Sequence, residues 1–141
     1  MSCKSAIYSA LQTSSTVTVS DASGATLPLG ATIRRFGCNL GMSGNGIIAS
    51  GCGYYRVAAN VTITPATAGT YTLRLLRDGV PVPGAMQVAA VAAGTPASLE
   101  VGALVRNQCC DETSTLTLSL TAATTPATVT VDNVAVMAER I

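Results

Sequence analysis

Apolar and polar side chains alternate along most of this chain. From Gly53, Tyr55, Val57, Ala59, Val61 and Ile63 fall at every second position, and Tyr71, Leu73 and Leu75 repeat the pattern after Pro65 and Gly69. A period of two is that of a strand with one face on a core. The stretch Gly53 to Gly84 therefore predicts two strands joined by a turn as a central hairpin, closed by Asp78-Gly79 and the Pro81–Gly84 loop. Met86 to Val91 predicts a further short strand. Ala97 to Arg106 predicts another, with an irregularity near Gly102. Leu116, Leu118 and Leu120 mark a one-faced strand. Val129 and Val131 alternate with one parity and Val134 and Val136 with the other, so a tight turn is expected at Asp132-Asn133.

The first third is less regular. Residues 1–14 hold Ala6, Ile7, Ala10 and Leu11 near helical spacing but are too short for an independent helix. A strand, or an arm laid on a neighbour, fits them equally. Thr16 to Ser20 alternates as a strand. Thr26 to Arg34 is a second candidate, broken by Pro28 and Gly30, which suits an edge strand or a bulge. Gly37 to Gly53 carries six glycines around Asn39 and Asn45 and predicts a long loop. It lacks the following helix and the lysine of a phosphate-binding loop. Eight to ten short strands with turns between them, and no long helix, predict an all-β antiparallel sandwich of the jelly-roll kind. Without an internal repeat or linker, residues 1–141 are read as one domain.

Composition adds a second expectation. Charged residues make up 11% of the chain, less than half the share usual in soluble domains. Much of the surface is therefore expected to be covered by further copies or by a larger assembly. Eight basic residues against seven acidic ones give a net charge of +1, and no basic run exceeds Arg34-Arg35. That leaves no stripe for nucleic-acid phosphates. No run spans a bilayer, and the N-terminus lacks a sustained apolar signal core, so synthesis in the cytoplasm without export is expected.

The five cysteines, Cys3, Cys38, Cys52, Cys109 and Cys110, are expected to be reduced core fillers. An interchain or Cys38–Cys52 disulfide and a metal site are the alternatives. Histidine is absent, which removes the commonest general base and every Ser-His-Asp or Cys-His arrangement. The carboxylates fall mostly in turns, where Asp is favoured by the backbone, so no catalytic residue and no cofactor are expected. The metal candidate is a Ca²⁺ site of oxygen ligands from Asp111, Glu112 and Asn107.

The residues Gly53-Tyr54-Tyr55-Arg56-Val57 and Val61-Thr62-Ile63 resemble the entry to the central strand of the tumour necrosis factor/complement globular-head jelly rolls. The segment Leu73-Arg74-Leu75 with Arg77 to Gly84 is similar to the corresponding turn in a bacterial branch, with Asp78 where Asn is usual. That branch caps collagen-like stalks on spore surfaces and occurs in phage structural proteins. The tail Val129 to Val136 resembles its closing strands. The likeness covers roughly residues 53–141. It implies a ten-strand jelly roll assembled as a homotrimer, with Tyr54, Tyr55 and Tyr71 as candidates for the threefold interface. Together these readings predict a non-enzymatic structural protein on a particle surface, a phage virion decoration or head-fibre-type protein, with itself and capsid proteins as partners. The alternatives are a glycan- or receptor-binding module and a spore-surface (exosporium) protein.

Overall fold

A computed structural model describes residues 4–108 and 112–141. Twelve strand segments run in chain order: β1 (Ala6–Ala10), β2 (Ser15–Val19), β3 (Ala25–Thr26), β4 (Ala31–Phe36), β5 (Leu40–Ser43), β6 (Gly46–Ser50), β7 (Gly53–Pro65), β8 (Gly69–Arg77), β9 (Val80–Val91), β10 (Ala97–Asn107), β11 (Thr113–Ala122) and β12 (Ala127–Arg140). They build two antiparallel sheets. Sheet A has the order β10-β7-β12-β1-β4, with β2 also on β12; sheet B has the order β5-β6-β11-β8-β9, with β3 also on β11. The jelly-roll sandwich expected from the alternation is the fold observed.

The core lies between the sheets and is filled by the alternating sets. Tyr55, Val57, Ala59, Val61 and Ile63 of β7 face Tyr71, Leu73 and Leu75 of β8, and Leu116, Leu118 and Leu120 join them from β11. β7 and β8 thus do not form the central hairpin expected of them. Each brings a long apolar face, and those faces are buried best by placing the strands in opposite sheets. Residues 66–68 cross between the sheets, tied by Ala66 N–H to Thr128 O at 2.9 Å. The hairpin lies one step later. Arg77 pairs with Val80 across Asp78-Gly79, and both turn residues have positive φ (51° and 82°). That is the geometry of a two-residue type I′ connection, for which Asp-Gly is a preferred pair.

Other expectations are corrected. Residues 6–10 are not an arm but a strand inside sheet A, paired with β12 on one side and β4 on the other. Ile7 and Ser9 are buried, so the apolar spacing read as near-helical is that of a short strand. The glycine-rich stretch 37–53 is not one loop. Leu40, Ile47 and Ala49 enter the core, and β5 and β6 pair across Gly44-Asn45. The parity switch at Asp132-Asn133 is a bulge within one continuous β12, because both halves pair with the same β7. Gly102 causes no irregularity; β10 stays in register with β7 from end to end. The break at Pro28 and Gly30 does yield an edge strand, β4.

Cys38 is disulfide-bonded, and Cys52 is not its partner. The expectation of reduced thiols is overturned at Cys38, which stands exposed beyond the end of β4 instead of filling the core. Its N–H is held by Ser5 Oγ at 3.0 Å. Cys3, Cys109 and Cys110 lie outside the described residues.

Candidate functional site

The strands of sheet A point one face at the core and the other outward, and among the described residues the outward face holds five of the nine exposed large apolar side chains. Register lays these residues out in rows. One row runs Gly102, Ala58, Met137, Tyr8 and Arg34 across β10, β7, β12, β1 and β4; the next runs Leu104, Arg56, Glu139, Ala6 and Phe36. Tyr54 and Arg106 pair beyond them. Tyr8 is 39% exposed, Tyr54 46%, Met137 52%, Leu104 58% and Phe36 62%. Small residues stand between these large ones. The result is a shallow hollow of about 650 Å³ floored by Ala58, Gly102 and Ala135 and walled by Tyr8 and Met137, with Asn60 and Glu100 at one end.

One ion pair forms on this face, and Arg34 and Glu100 have no ion-pair partner among the described residues. Arg56 Nη1 lies 3.1 Å from Glu139 Oε1, both side chains exposed, so the pair contributes little to stability. The Arg106 guanidinium stands 5.4 Å from the centre of the Tyr54 ring, within cation–π range. The middle of the face therefore presents mainly hydrocarbon and one made ion pair, which a protein surface can cover with little unpaired desolvation, while Arg34 and Glu100 lie towards its margins.

Of the three tyrosines proposed for an interface, only Tyr54 is on it. Tyr55 and Tyr71 are buried in the core. Adjacent strand residues point to opposite faces, so Tyr54 and Tyr55 cannot share one. Tyr55 Oη donates to the carbonyls of Ser50 (2.8 Å) and Gly51 (2.9 Å), and Tyr71 Oη donates to Thr67 O at 2.6 Å. Burial pushes both phenols above their usual pKa, most strongly by disfavouring the phenolate; at Tyr55 the nearby Arg140 opposes this.

The residues missed were Tyr8, Phe36, Leu104 and Met137. Each is a large apolar side chain standing on the polar parity of its strand: Leu104 beside Val105, and Met137 between Val136 and Ala138. An off-parity apolar residue is the sequence signal for an outward face that expects cover.

Two residues of the Ca²⁺ candidate, Asn107 and Glu112, are engaged by other groups. Arg77 donates to Glu112 Oε1 (2.9 Å), Asn107 Oδ1 (3.0 Å) and Ser114 Oγ (3.0 Å). The N–H of Gln108 donates to Glu112 Oε2 at 2.6 Å. A guanidinium thus holds the position a cation would need, and the oxygens of Asn107 and Glu112 are spent on it. Asp111 lies outside the described residues. The network instead ties the end of β10 to the start of β11, with Asn107 Nδ2 reaching Ala49 O at 3.0 Å.

No family model matches the sequence, and no curated protein matches it. Solved structures do. Murine APRIL at pH 8.0 superposes with a TM-score of 0.69 at 11% identity, over 98% of this chain and 99% of that one. The globular domain of zebrafish complement 1qA protein gives 0.63 at 11% identity, over 96% and 95%. PRD1 vertex protein P5 gives 0.55 at 16% identity, over 99% and 96%. At such identities the likeness concerns the fold, which is the tumour necrosis factor/complement-type jelly roll, shared with a phage structural protein.

Proposed function

We propose that this chain is a non-enzymatic structural subunit, a trimeric jelly roll on the surface of a phage virion, of the decoration or head-fibre type. The observation that carries the reading is the outward face of sheet A. In a chain with only 11% charged residues, Tyr8, Tyr54, Leu104 and Met137 are gathered exposed on one side around a floor of alanine and glycine. Uncovered apolar surface of this kind marks a contact face.

A threefold contact joins two different patches of each copy. The second patch is the margin where β9 and β10 run side by side, with Met86 and Val88 exposed. Met86 and Val88 bring unbranched and branched apolar side chains that the 650 Å³ hollow of the next copy can receive. Tyr54 contributes at the edge of the contact. The virion role rests on the likeness to PRD1 vertex protein P5 together with the phage structural branch that the hairpin sequence resembles.

Light scattering on the purified chain tests the assembly. The expected solution mass is about three times 14.2 kDa. A mass of one subunit that persists at high concentration ends the trimer reading. Mass spectrometry of gradient-purified virions tests the particle: the chain co-migrating at fixed stoichiometry supports it, and its absence from every virion fraction refutes it.

A further inference from the structure

The net charge of +1 conceals a polarised surface. Register fixes the height of each residue along the sandwich, with Gly53, Arg140 and Asn107 at one end and Pro65, Ala97 and Ala127 at the other. All eight basic residues lie in the half nearer the first end. Of the described acids, only Asp78, Glu112 and Glu139 accompany them. Glu139 and Glu112 are already engaged by Arg56 and Arg77.

The strand β4 concentrates what remains. It pairs with β1 along one edge, and no other described strand pairs with its second edge. It buries almost nothing: Ile33 is half-buried and the five other residues are exposed. Arg34 Nη1 donates to Ile33 O at 2.9 Å and Arg35 Nε donates to Leu40 O at 2.5 Å. Neither guanidinium is paired with a carboxylate; the two ion pairs among the described residues are made by Arg56 and Arg77. The register shift opposite Tyr8/Ser9 leaves Arg34 to Phe36 as a regular run. Arg34 and Phe36, two apart, share the outward face beside Tyr8 and Ala6. Arginine with exposed aromatic rings is the composition of interface anchors. This chain has five aromatic residues, and Phe36 is its most exposed.

We infer that the free edge of β4 receives an extended, acidic segment of another protein, which adds as a strand, sets a carboxylate against Arg34 and lays an apolar side chain on Phe36. Strand addition supplies main-chain hydrogen bonds, and alternate side chains supply selectivity. The arginines choose the partner. They repel the β4 edge of a second copy and admit a strand of opposite charge. Of the other long edges, β9 carries Pro81 and Pro83 near its start and is irregular between Arg74 and Leu76 of its partner β8, and β10 has β9 running beside it, so both offer poorer templates. β4 lies at the opposite margin of sheet A from β10, so this inference does not depend on the trimer.

The test uses the intact protein and two capped nine-residue peptides, one in which glutamate and valine take successive positions of the same strand face (Glu-Thr-Val-Thr repeated) and one with lysine in place of glutamate. Binding is read by fluorescence anisotropy, and location by hydrogen exchange of backbone amides. The glutamate peptide is expected to bind, to slow exchange across 31–36, and to weaken as salt rises. Joint replacement of Arg34 and Arg35 by glutamine is expected to weaken it roughly tenfold or more, and Phe36→Ser by about threefold. The lysine peptide is expected not to bind. Protection at β10 in place of β4, equal binding of both peptides, or unchanged binding by the arginine variants overturns the inference. So does tighter binding of a single-stranded oligonucleotide through the same arginines. The joint variant also loses the bond from Arg35 Nε to Leu40 O, but among the described residues Arg34 and Phe36 bond to no other strand through their side chains, so melting of Arg34→Gln and Phe36→Ser should match the parent. If it does not, the exchange map of the unaltered protein decides the matter alone.

Discussion

Replacing Met137 by lysine separates folding from assembly. Met137 points away from the core, between the buried Val136 and Ala138, and is 52% exposed at the wall of the hollow. Burying a whole methionine side chain contributes about 1.5–3 kcal/mol, so the exposed half still has about 1 kcal/mol to give when a second copy covers it. Lysine forfeits part of that and brings an unpaired ammonium into the apolar middle of the hollow. Desolvating an unpaired ion costs several kcal/mol, and snorkelling along the hydrocarbon stem reduces this to about 2 kcal/mol. The loss is then about 3 kcal/mol per contact and, over three contacts, about six orders of magnitude in the trimerisation constant.

The isolated subunit should scarcely notice. An exposed substitution away from the core changes stability by about 0.5 kcal/mol or less. Thr70→Lys serves as the matched control, since Thr70 is exposed on β8 in the other sheet. Sedimentation equilibrium at micromolar concentration should find the parent and Thr70→Lys trimeric and Met137→Lys monomeric, with the same β-sheet circular dichroism for all three. Met137→Lys assembling as tightly as the parent, while Thr70→Lys falls apart, would place the contact on sheet B and refute the reasoning.

Three further outcomes are expected. Ser9 Oγ is buried without a hydrogen-bond partner, so Ser9→Ala removes a desolvated hydroxyl and should raise the urea midpoint by an amount equivalent to about 1 kcal/mol; a loss of that size would mean the hydroxyl is satisfied in solution. Gly30 has φ +78°, and a Cβ there would lie 2.2 Å from Ala10 O, so Gly30→Ala should cost at least about 2 kcal/mol in the same assay. Tyr55 and Tyr71 have raised pKa values, mainly through burial. The folded state therefore holds their protons more tightly than the unfolded chain. The stability this lends is full below the ordinary phenol value of about 10 and declines as pH rises above it. Urea midpoints should fall on going above that value, with tyrosinate absorbance from these two residues appearing together with unfolding; their ionisation in the still-folded protein would contradict the burial argument.

The alternation made the strands legible because each buried face is written in every second residue. β7, β8, β11 and both halves of β12 could be placed that way. What alternation does not encode is which strand lies beside which. Tyr55–Ile63 and Tyr71–Leu75 read the same whether their strands pair as a hairpin or face each other across a core. The same ambiguity hid the bulge at Asp132-Asn133. A parity switch fits a turn or an extra residue, and only the shared partner β7 distinguishes them. Short elements failed for another reason. β1, β5 and β6 have four or five residues each, too few for a period to show, and glycine in the 37–53 stretch reads as loop even where Leu40, Ile47 and Ala49 enter the core.

The candidate face was half legible. Low charge led to the expectation that some surface is covered, but choosing interface residues by type drew in Tyr55 and Tyr71, which are buried in the core. Parity would have chosen differently. With Tyr55, Val57 and Ala59 inward, Tyr54, Arg56 and Ala58 must face out, and once Ile7, Val105 and Val136 are placed inward, Tyr8, Leu104 and Met137 follow. Net charge misled in a similar way, because a sum near zero carries no record of position. Arg34 and Arg35 looked like an isolated pair until register put them on a strand edge without a carboxylate partner, beside Phe36. Three of the five aromatic rings, Tyr8, Phe36 and Tyr54, stand with Arg34, Arg56 and Arg106 on the same side of one sheet. The middle of that face suits a neutral, apolar cover and its β4 margin suits an acidic one, so two different partners can occupy it without competing.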